Sequence, residues 1–562
     1  MSTVQTAAGM QEKDHNPETI YLADYRPPAY AVQTIHLNFD IHEESVLVSA
    51  EMQLKAHDNL NAPLVLQGNN QKIEHISINH KPLDADQYQL IAQTLKIQLP
   101  AATERIFTLE IKCRIDPYSN TTLEGLYESK GMLCTQCEAE GFRRIMYYVD
   151  RPDNMAVFTT RIEADKSRYP VLLANGNLVA AKDVENGRHE AVWHDPFPKP
   201  SYLFAMVAGN LAVTKDSFTT MSGREVTIAF YTEAQDQNKI AFAIAALKKS
   251  MKWDEERYGC EYDLDIYMVV AVSHFNMGAM ENKGLNVFNT RCVLASPETA
   301  TDQQYSSVES IIAHEYFHNW SGNRITCRDW FQLSLKEGFT VFRDQHFSME
   351  VDSALAHRVD AVKVMRSVQF AEDAGPMAHP VRPQDYIEIN NFYTVTVYDK
   401  GAEVVRMIHT LLGADAFRKG TDRYFSRFDG QAVTTEDFVQ SVTEGQDFDL
   451  VQFQRWYDQP GTPWVKVQRY YDADTQSMTL RFEQTYPELP NWDKPRYPVV
   501  IPVRLGLITA EGEAHPLKTD AEAFKANTAT DGVFILKEAT AEITFLDVGC
   551  HDRTSPPLPE HY

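Results

Sequence analysis

The 562-residue sequence predicts a multidomain α+β protein: an N-terminal antiparallel β domain over 1–210, a mixed α/β domain over 211–461 and a small β sandwich over 462–562. Three observations carry this. Period-two alternation of apolar and polar residues fills the first part, helical spacing dominates the middle, and short strand-like runs return after "YDQPGTPW" at 457–464. A chain of this length exceeds a single hydrophobic core, and about three or four domains are expected.

In the first part Ile35, Leu37, Phe39 and Ile41 alternate with polar residues, and Val46, Val48, Ala50, Met52 and Leu54 repeat the pattern. Such alternation marks strands with one buried face. The run "FPKPSYLFAMVAGN" (197–210) reads as the last strand before a boundary. Beyond it, Ile240, Ile244, Leu247 and Met251 recur at helical spacing, with Gly259 as the stop, and "LDIYMVV" follows as a strand. Helical patterns then dominate from 303 to 460, as in Val404, Val405, Ile408, Leu411 and Leu412, closed by Gly413. The last part offers "WVKVQRYY", "SMTLRFEQ", "VVIPVRLGLI", "GVFILKE" and "AEITFLDV", the short strands of a sandwich, and then a proline-rich tail.

Composition narrows the function classes. Lys and Arg number 53 against 78 Asp and Glu, a formal net charge of −25. A surface that acidic repels phosphate backbones and anionic lipid, so neither nucleic acid nor membrane is an expected partner. It attracts cationic groups, the amino end of a peptide among them, and it confers solubility. The seven cysteines, Cys113, Cys134, Cys137, Cys260, Cys292, Cys327 and Cys550, are too sparse for a disulfide framework and indicate a reducing compartment. Cys134 and Cys137 form a CxxC without a second pair at zinc-ribbon spacing and read as structural thiols. The N-terminus lacks the apolar core of a signal peptide, and no run reaches the ~20 apolar residues of a membrane span. The cytoplasm is the expected location.

The chemistry concentrates in "IIAHEYFHNWSGN" (311–323), where His314, Glu315 and His318 form H-E-x-x-H. Residues four apart lie one above the other on a helix, so both imidazoles reach one ion. Glu315 points about a quarter turn away, where it can take the proton of a metal-activated water. A catalytic zinc needs a third protein ligand. The metzincin continuation is closed, because Ser321 and Arg324 stand where glycine and histidine are required. Glu337 in "LSLKEGFTVFRDQ" follows His318 after eighteen intervening residues, on the next helix, and gives a His2Glu site with an open position. Asp344, two turns further on, either orients a ligand or is an ordinary structural residue.

H-E-x-x-H does not choose between cutting inside a chain and trimming its end. An aminopeptidase must neutralise a free α-ammonium, which calls for carboxylates near the zinc that the protein's own cations leave unpaired. The candidates lie in "SHFNMGAMENKGLNVF" (273–288) and "CTQCEAEGFRR" (134–144).

The sequence Gly278-Ala279-Met280-Glu281-Asn282 is the exopeptidase motif G-A-M-E-N, upstream of H-E-x-x-H and its distant glutamate. Together they resemble the zinc aminopeptidases of the aminopeptidase N family, the gluzincin aminopeptidases. "LKEGFTVFRDQ", "YYVDRPDNMAVFTTRIEADK" and "CEAEGFRRI" are similar to signatures of the bacterial branch, and the resemblance runs from "DYRPPAY" to the third domain. It implies a thermolysin-like middle domain and a broad-specificity metalloaminopeptidase with one Zn2+ per chain. His314, His318 and Glu337 become the ligands, Glu315 the general base, and Tyr398 of "TVYDKG" the oxyanion donor. Glu281 and Glu138 bind the substrate's α-amino group, Gly278, Ala279, Met280 and Asn282 lie along the substrate, and Met277 and Tyr393 line the first-residue pocket. The implied partners are peptides with a free N-terminus, met by a monomer. Lys336, where many relatives have asparagine, is characteristic of the bacterial branch. Members of that branch continue into an all-helical C-terminal domain, whereas this chain stops after the third. Two other readings are a lipid epoxide hydrolase on this scaffold, against which Ala279 argues, and a truncated zinc- and peptide-binding fragment with weak turnover.

Overall fold

The computed structural model describes residues 18–549 apart from 58–61, 70, 102 and 510. The proline-rich tail and Cys550 lie outside the described residues. The N-terminal part is built on an eight-stranded sheet centred on Tyr30–Ile41, Val46–Ala56 and Ile106–Ile115. The register pairs Ile35 with Met52, Leu37 with Ala50 and Phe39 with Val48, so the apolar sets of neighbouring strands fall on one buried face. One junction departs from the antiparallel expectation: Ala156–Asp165 runs parallel to Tyr30–Ile41. Alternation reports which face is buried and carries no information about strand direction, and these two strands are not joined by a hairpin.

A four-stranded antiparallel sheet of Gly125–Ser129, Met132–Gln136, Met206–Gly209 and Val171–Ala174 completes this part and delivers Glu138 just past one strand end. The segment read as one final strand divides into the end of Arg188–Lys199, a single turn at Ser201–Leu203 and the strand Met206–Gly209.

The middle part contains a five-stranded sheet ordered Ala212–Thr219, Glu225–Thr232, Ile266–Val272, Leu285–Asn289 and Ala279–Met280. Both faces are covered. Met268, Val270, Val272, Leu285 and Val287 join the core of the N-terminal part, while Tyr267, Val269, Ala271 and Phe288 join a second core beneath the helices. Double burial explains why "IYMVVAV" is continuously apolar.

Three helices organise the second core: α1 (Ala241–Tyr258), α2 (Asp302–Phe317) and α3 (Leu333–Val351). Gly259 ends α1 with φ +67°, a left-handed conformation that glycine adopts without strain. A capping box of Thr301 and Gln304 opens α2. Arg343, fully buried on α3, pairs with Asp254 of α1 and donates to the Phe317 carbonyl at the end of α2 at 2.8 Å. This ion pair locks the three helices together at the point where the H-E-x-x-H sequence ends.

The helix Gly401–Leu412 crosses α3 where Gly338 meets Gly401. A Cβ on Gly338 would sit 2.9 Å from the Gly401 carbonyl carbon and 2.6 Å from Ser334 Oγ. The close approach brings the Thr396–Lys400 turn, with Tyr398, to the cavity that Glu337 also lines. The third part packs two three-stranded sheets around Phe482, Phe534, Leu536, Ile543 and Phe545. It is tied back by Asp373, which accepts from the Gly461 N–H and from Lys400 Nζ, both at 2.6 Å. No helix among the described residues is long and apolar enough to cross a membrane.

Substituting Gly338→Ala forces these backbones apart, and overpacking of this kind costs about 1–3 kcal/mol. Urea denaturation should show that loss, and an unchanged midpoint would contradict the crossing.

Candidate active site

The end of α2 presents His314 and Glu315, and His318 closes the helix as its cap residue. His314 donates through Nδ1 to Asp344 at 2.6 Å, and His318 donates through Nδ1 to the Ser321 carbonyl at 2.9 Å. Both rings are therefore held as tautomers with a bare Nε2. The two Nε2 atoms lie 2.9 Å apart, and each is 3.3–3.4 Å from Glu337 Oε2. Three potential ligand atoms thus converge, an arrangement that repels itself unless a proton or a metal cation sits among them. Tetrahedral zinc with bonds of about 2.0–2.1 Å separates its ligands by about 3.3 Å, so the triad fits such an ion. Asp344, with two readings open from sequence, orients His314.

The second feature is Lys336, 1% exposed. Its ammonium lies 2.6 Å from Glu138 Oε1 and 2.8 Å from Glu281 Oε1, and it also contacts Glu337 Oε1. This corrects the expectation that the protein's cations would leave Glu138 and Glu281 unpaired. Carboxylates from three segments could not be buried together without a cation among them. Only the Oε1 atoms are engaged, however. Neither Oε2 takes a hydrogen bond from another described residue, and both glutamates line a cavity of about 460 Å3 that also holds the metal triad. Burial opposes ionisation of Glu281, but Lys336 and His318 outweigh it and hold this carboxyl below its usual range. Glu138 is pushed up to about 8, chiefly by burial with Glu281 and Glu337 adding, against the pull of Lys336. One ammonium leaves the three carboxylates with an excess of negative charge, which a second ammonium would relieve.

The remaining groups surround the same cavity. Glu315 Oε2 is buried without a hydrogen-bond partner, and burial raises its carboxyl well above the ordinary range. Burial also keeps the Tyr398 phenol protonated, and its hydroxyl makes no hydrogen bond to another described residue. Tyr393 donates to Glu138 Oε1 at 2.8 Å. Met277, Gly278 and Ala279 line the cavity, and Ala279–Met280 is an edge strand whose outer side pairs with no described strand. Asn282 is buried and its side-chain amide lacks a partner among the described residues. Asn323 donates to the Glu281 carbonyl at 2.9 Å, fixing the G-A-M-E-N segment against the H-E-x-x-H loop.

Sequence reasoning missed two members. Lys336 is the hub of the carboxylates, and the signal was a lysine beside a ligand on a helix that is buried on all sides. Gln136 donates to the Glu138 carbonyl at 3.3 Å and to Met280 Sδ at 3.6 Å, joining the two carboxylate-bearing segments. Nothing in its local pattern distinguished it. Cys134 and Cys137 are both fully buried, and the six described cysteines are all free.

The arrangement has relatives. Residues 26–203 match the peptidase M1 N-terminal domain, 242–457 the peptidase family M1 domain, and 461–558 a domain of unknown function with an Ig-like fold. Aminopeptidase N of Escherichia coli strain K12 is 54% identical over 502 residues, covering 89% of this chain and 57% of the relative. Aminopeptidase N of Haemophilus influenzae is 50% identical, with the same coverage of 89% and 57%. A crystal structure of Legionella pneumophila aminopeptidase A in complex with aspartic acid superposes with a TM-score of 0.85 at 34% identity, over 95% of this chain and 59% of that one. The chain thus spans somewhat over half the length of these relatives. With both M1 domains in order, the metal-competent triad at their junction and this identity, the chain belongs to peptidase family M1, on the side of the bacterial aminopeptidases N.

Proposed function

We propose that this chain is a zinc aminopeptidase that removes the N-terminal residue of peptides with broad tolerance for that residue. The observation that carries the reading is the pairing of a metal-competent His314–His318–Glu337 triad with two carboxylates, Glu138 and Glu281, that line one cavity and whose Oε2 atoms accept no hydrogen bond from another described residue. Zinc, held by that triad, would supply Lewis-acid activation of water and of the scissile carbonyl. Glu281 and Glu138 accept hydrogen bonds from the substrate's α-ammonium and so set which bond lies at the triad. Lys336 neutralises part of their mutual repulsion. Glu315, its Oε2 unpartnered, takes the proton of the attacking water and passes it to the leaving amine. Tyr398, held protonated, donates to the developing oxyanion.

The open edge of Ala279–Met280 suits a peptide laid alongside as a further strand, with Gly278 and Asn282 flanking it. Met277 and Tyr393 line the pocket for the first side chain, and a flexible thioether there matches broad tolerance. Six free cysteines suit a reducing compartment, and we assign the protein to the cytoplasm as a monomer.

Zinc-loaded protein should release N-terminal residues from aminoacyl-anilides, and activity should vanish on chelation and return with zinc. Glu315→Gln should lower kcat by about 10²–10⁴-fold, the usual worth of a general base, while zinc still binds. Zinc binding without turnover in the wild-type chain would instead favour a peptide-binding fragment. Lys336→Met leaves three carboxylates buried without their cation, so thermal denaturation should report a loss of about 3–5 kcal/mol. A variant as stable as wild type would refute the hub.

A further inference from the structure

One carboxylate of the cavity has no task in the chemistry above. Glu138, Glu281, Glu315, Glu337, Asp344 and Asp399 all line it, and no lysine or arginine does. Glu138 and Glu281 share Lys336, and Glu337 belongs to the metal triad. Asp344 accepts from His314, and Glu315 is the base. Asp399, next to Tyr398, has no hydrogen-bond or ion-pair partner among the other described residues. Glu403, whose charge bears on Asp399, itself holds both Arg358 and Arg406. Burial, with Asp344 and Glu403 adding and His314 opposing, pushes the Asp399 carboxyl up to about 6.

The position of Asp399 along the cavity gives this surplus charge a meaning. The amino end of a substrate is fixed at Glu138 and Glu281, beside His318 and Glu337. From there the lining follows α2 backwards by one turn from His314 to Ser310, and α3 forwards from Glu337 through Val341 to Asp344. Asp399 lines this far end, where its charge and that of Asp344 act on each other. Glu315, with its unpartnered Oε2, lines the same cavity beside His314, and on the aminopeptidase reading it marks the bond to be cut. A peptide with its ammonium at the near end therefore places its second residue towards Asp399.

We infer that Asp399 is a specificity-determining residue that selects a lysine or arginine at the second position of the peptide. A substrate cation supplies the counter-charge that the protein withholds, and an acidic second residue meets like charge. This rests on the aminopeptidase reading, and the experiment separates the two. Ala-Lys-Gly, Ala-Leu-Gly and Ala-Glu-Gly, all as C-terminal amides, are compared at pH 8 with zinc-loaded protein, reading kcat/KM for alanine release.

The lysine peptide should exceed the leucine peptide by about fivefold and the glutamate peptide by about tenfold or more. Both ratios should shrink as salt rises. In Asp399→Asn they should fall to near one, whereas Asp399→Glu should keep the order. Because each ratio is internal to one variant, partial misfolding does not imitate the result. Equal rates in wild type, or ratios that survive in Asp399→Asn, would overturn the assignment. If no peptide releases alanine, the aminopeptidase reading fails. Calorimetric Kd values for the same peptides then decide the subsite alone: tighter binding of the lysine peptide supports it, and equal affinities overturn it.

Discussion

The ammonium of Lys336 is the point on which the site depends. It meets Glu138 from the N-terminal part, Glu281 from the edge-strand segment and Glu337 from α3. None of these carboxylates could be buried so close to the others in its absence, because mutual repulsion and lost hydration would drive them apart or protonate them. A single cation among three carboxyl groups, two of them held ionised, satisfies the geometry while leaving a residual negative field. On the proposed function, that residue of charge would serve recognition, with the cavity completed by a positive group from outside. On the proposed aminopeptidase reading, the protein's stability and a selectivity for a free amino terminus would come from the same imbalance.

The metal-competent triad shows a complementary constraint. Asp344 and the Ser321 carbonyl each claim a ring proton, and this leaves bare nitrogens facing one another. The supports lie deep in the helical core. Arg343 donates to Ser321 Oγ at 2.8 Å and to the Phe317 carbonyl, so a buried ion pair between α1 and α3 holds the loop that orients His318. Preorganisation of this kind moves the cost of gathering repelling groups from the binding step into folding.

Much of this was legible in the sequence, and the gaps have physical reasons. Alternation in Ile35–Ile41 and Val46–Leu54 reported a buried face because side-chain period follows backbone geometry. The parallel junction with Ala156–Asp165 stayed hidden because direction leaves no trace in that period. The caps at Gly259 and Gly413 were readable because positive φ favours glycine. His314, Glu315 and His318 stood out because a metal site demands particular residues at helical spacing, and Glu337 because such a site needs a third ligand from a following helix. Glu138 needed a resemblance to be noticed, since a carboxylate in a loop looks alike whether solvated or buried. Lys336 was visible only as a letter beside Glu337; its contact with three glutamates from separate segments is a property of the tertiary structure. The short strands Phe524–Ala526 and Ala514–His515 carry too few residues for a periodic signal.

The doubly covered sheet of the middle part has a consequence for how the molecule comes into being. One of its faces, through Met268, Val270 and Val272, completes the core of the N-terminal part. A ribosome delivers the strands from Tyr30 to Gly209 before that face exists. The emerging β domain must therefore wait with an apolar surface uncovered until the strand Ile266–Val272 has been made and docked. Translation order thus leaves this seam open for an interval in which a chaperone or a neighbouring nascent chain can compete for a surface that the finished protein buries.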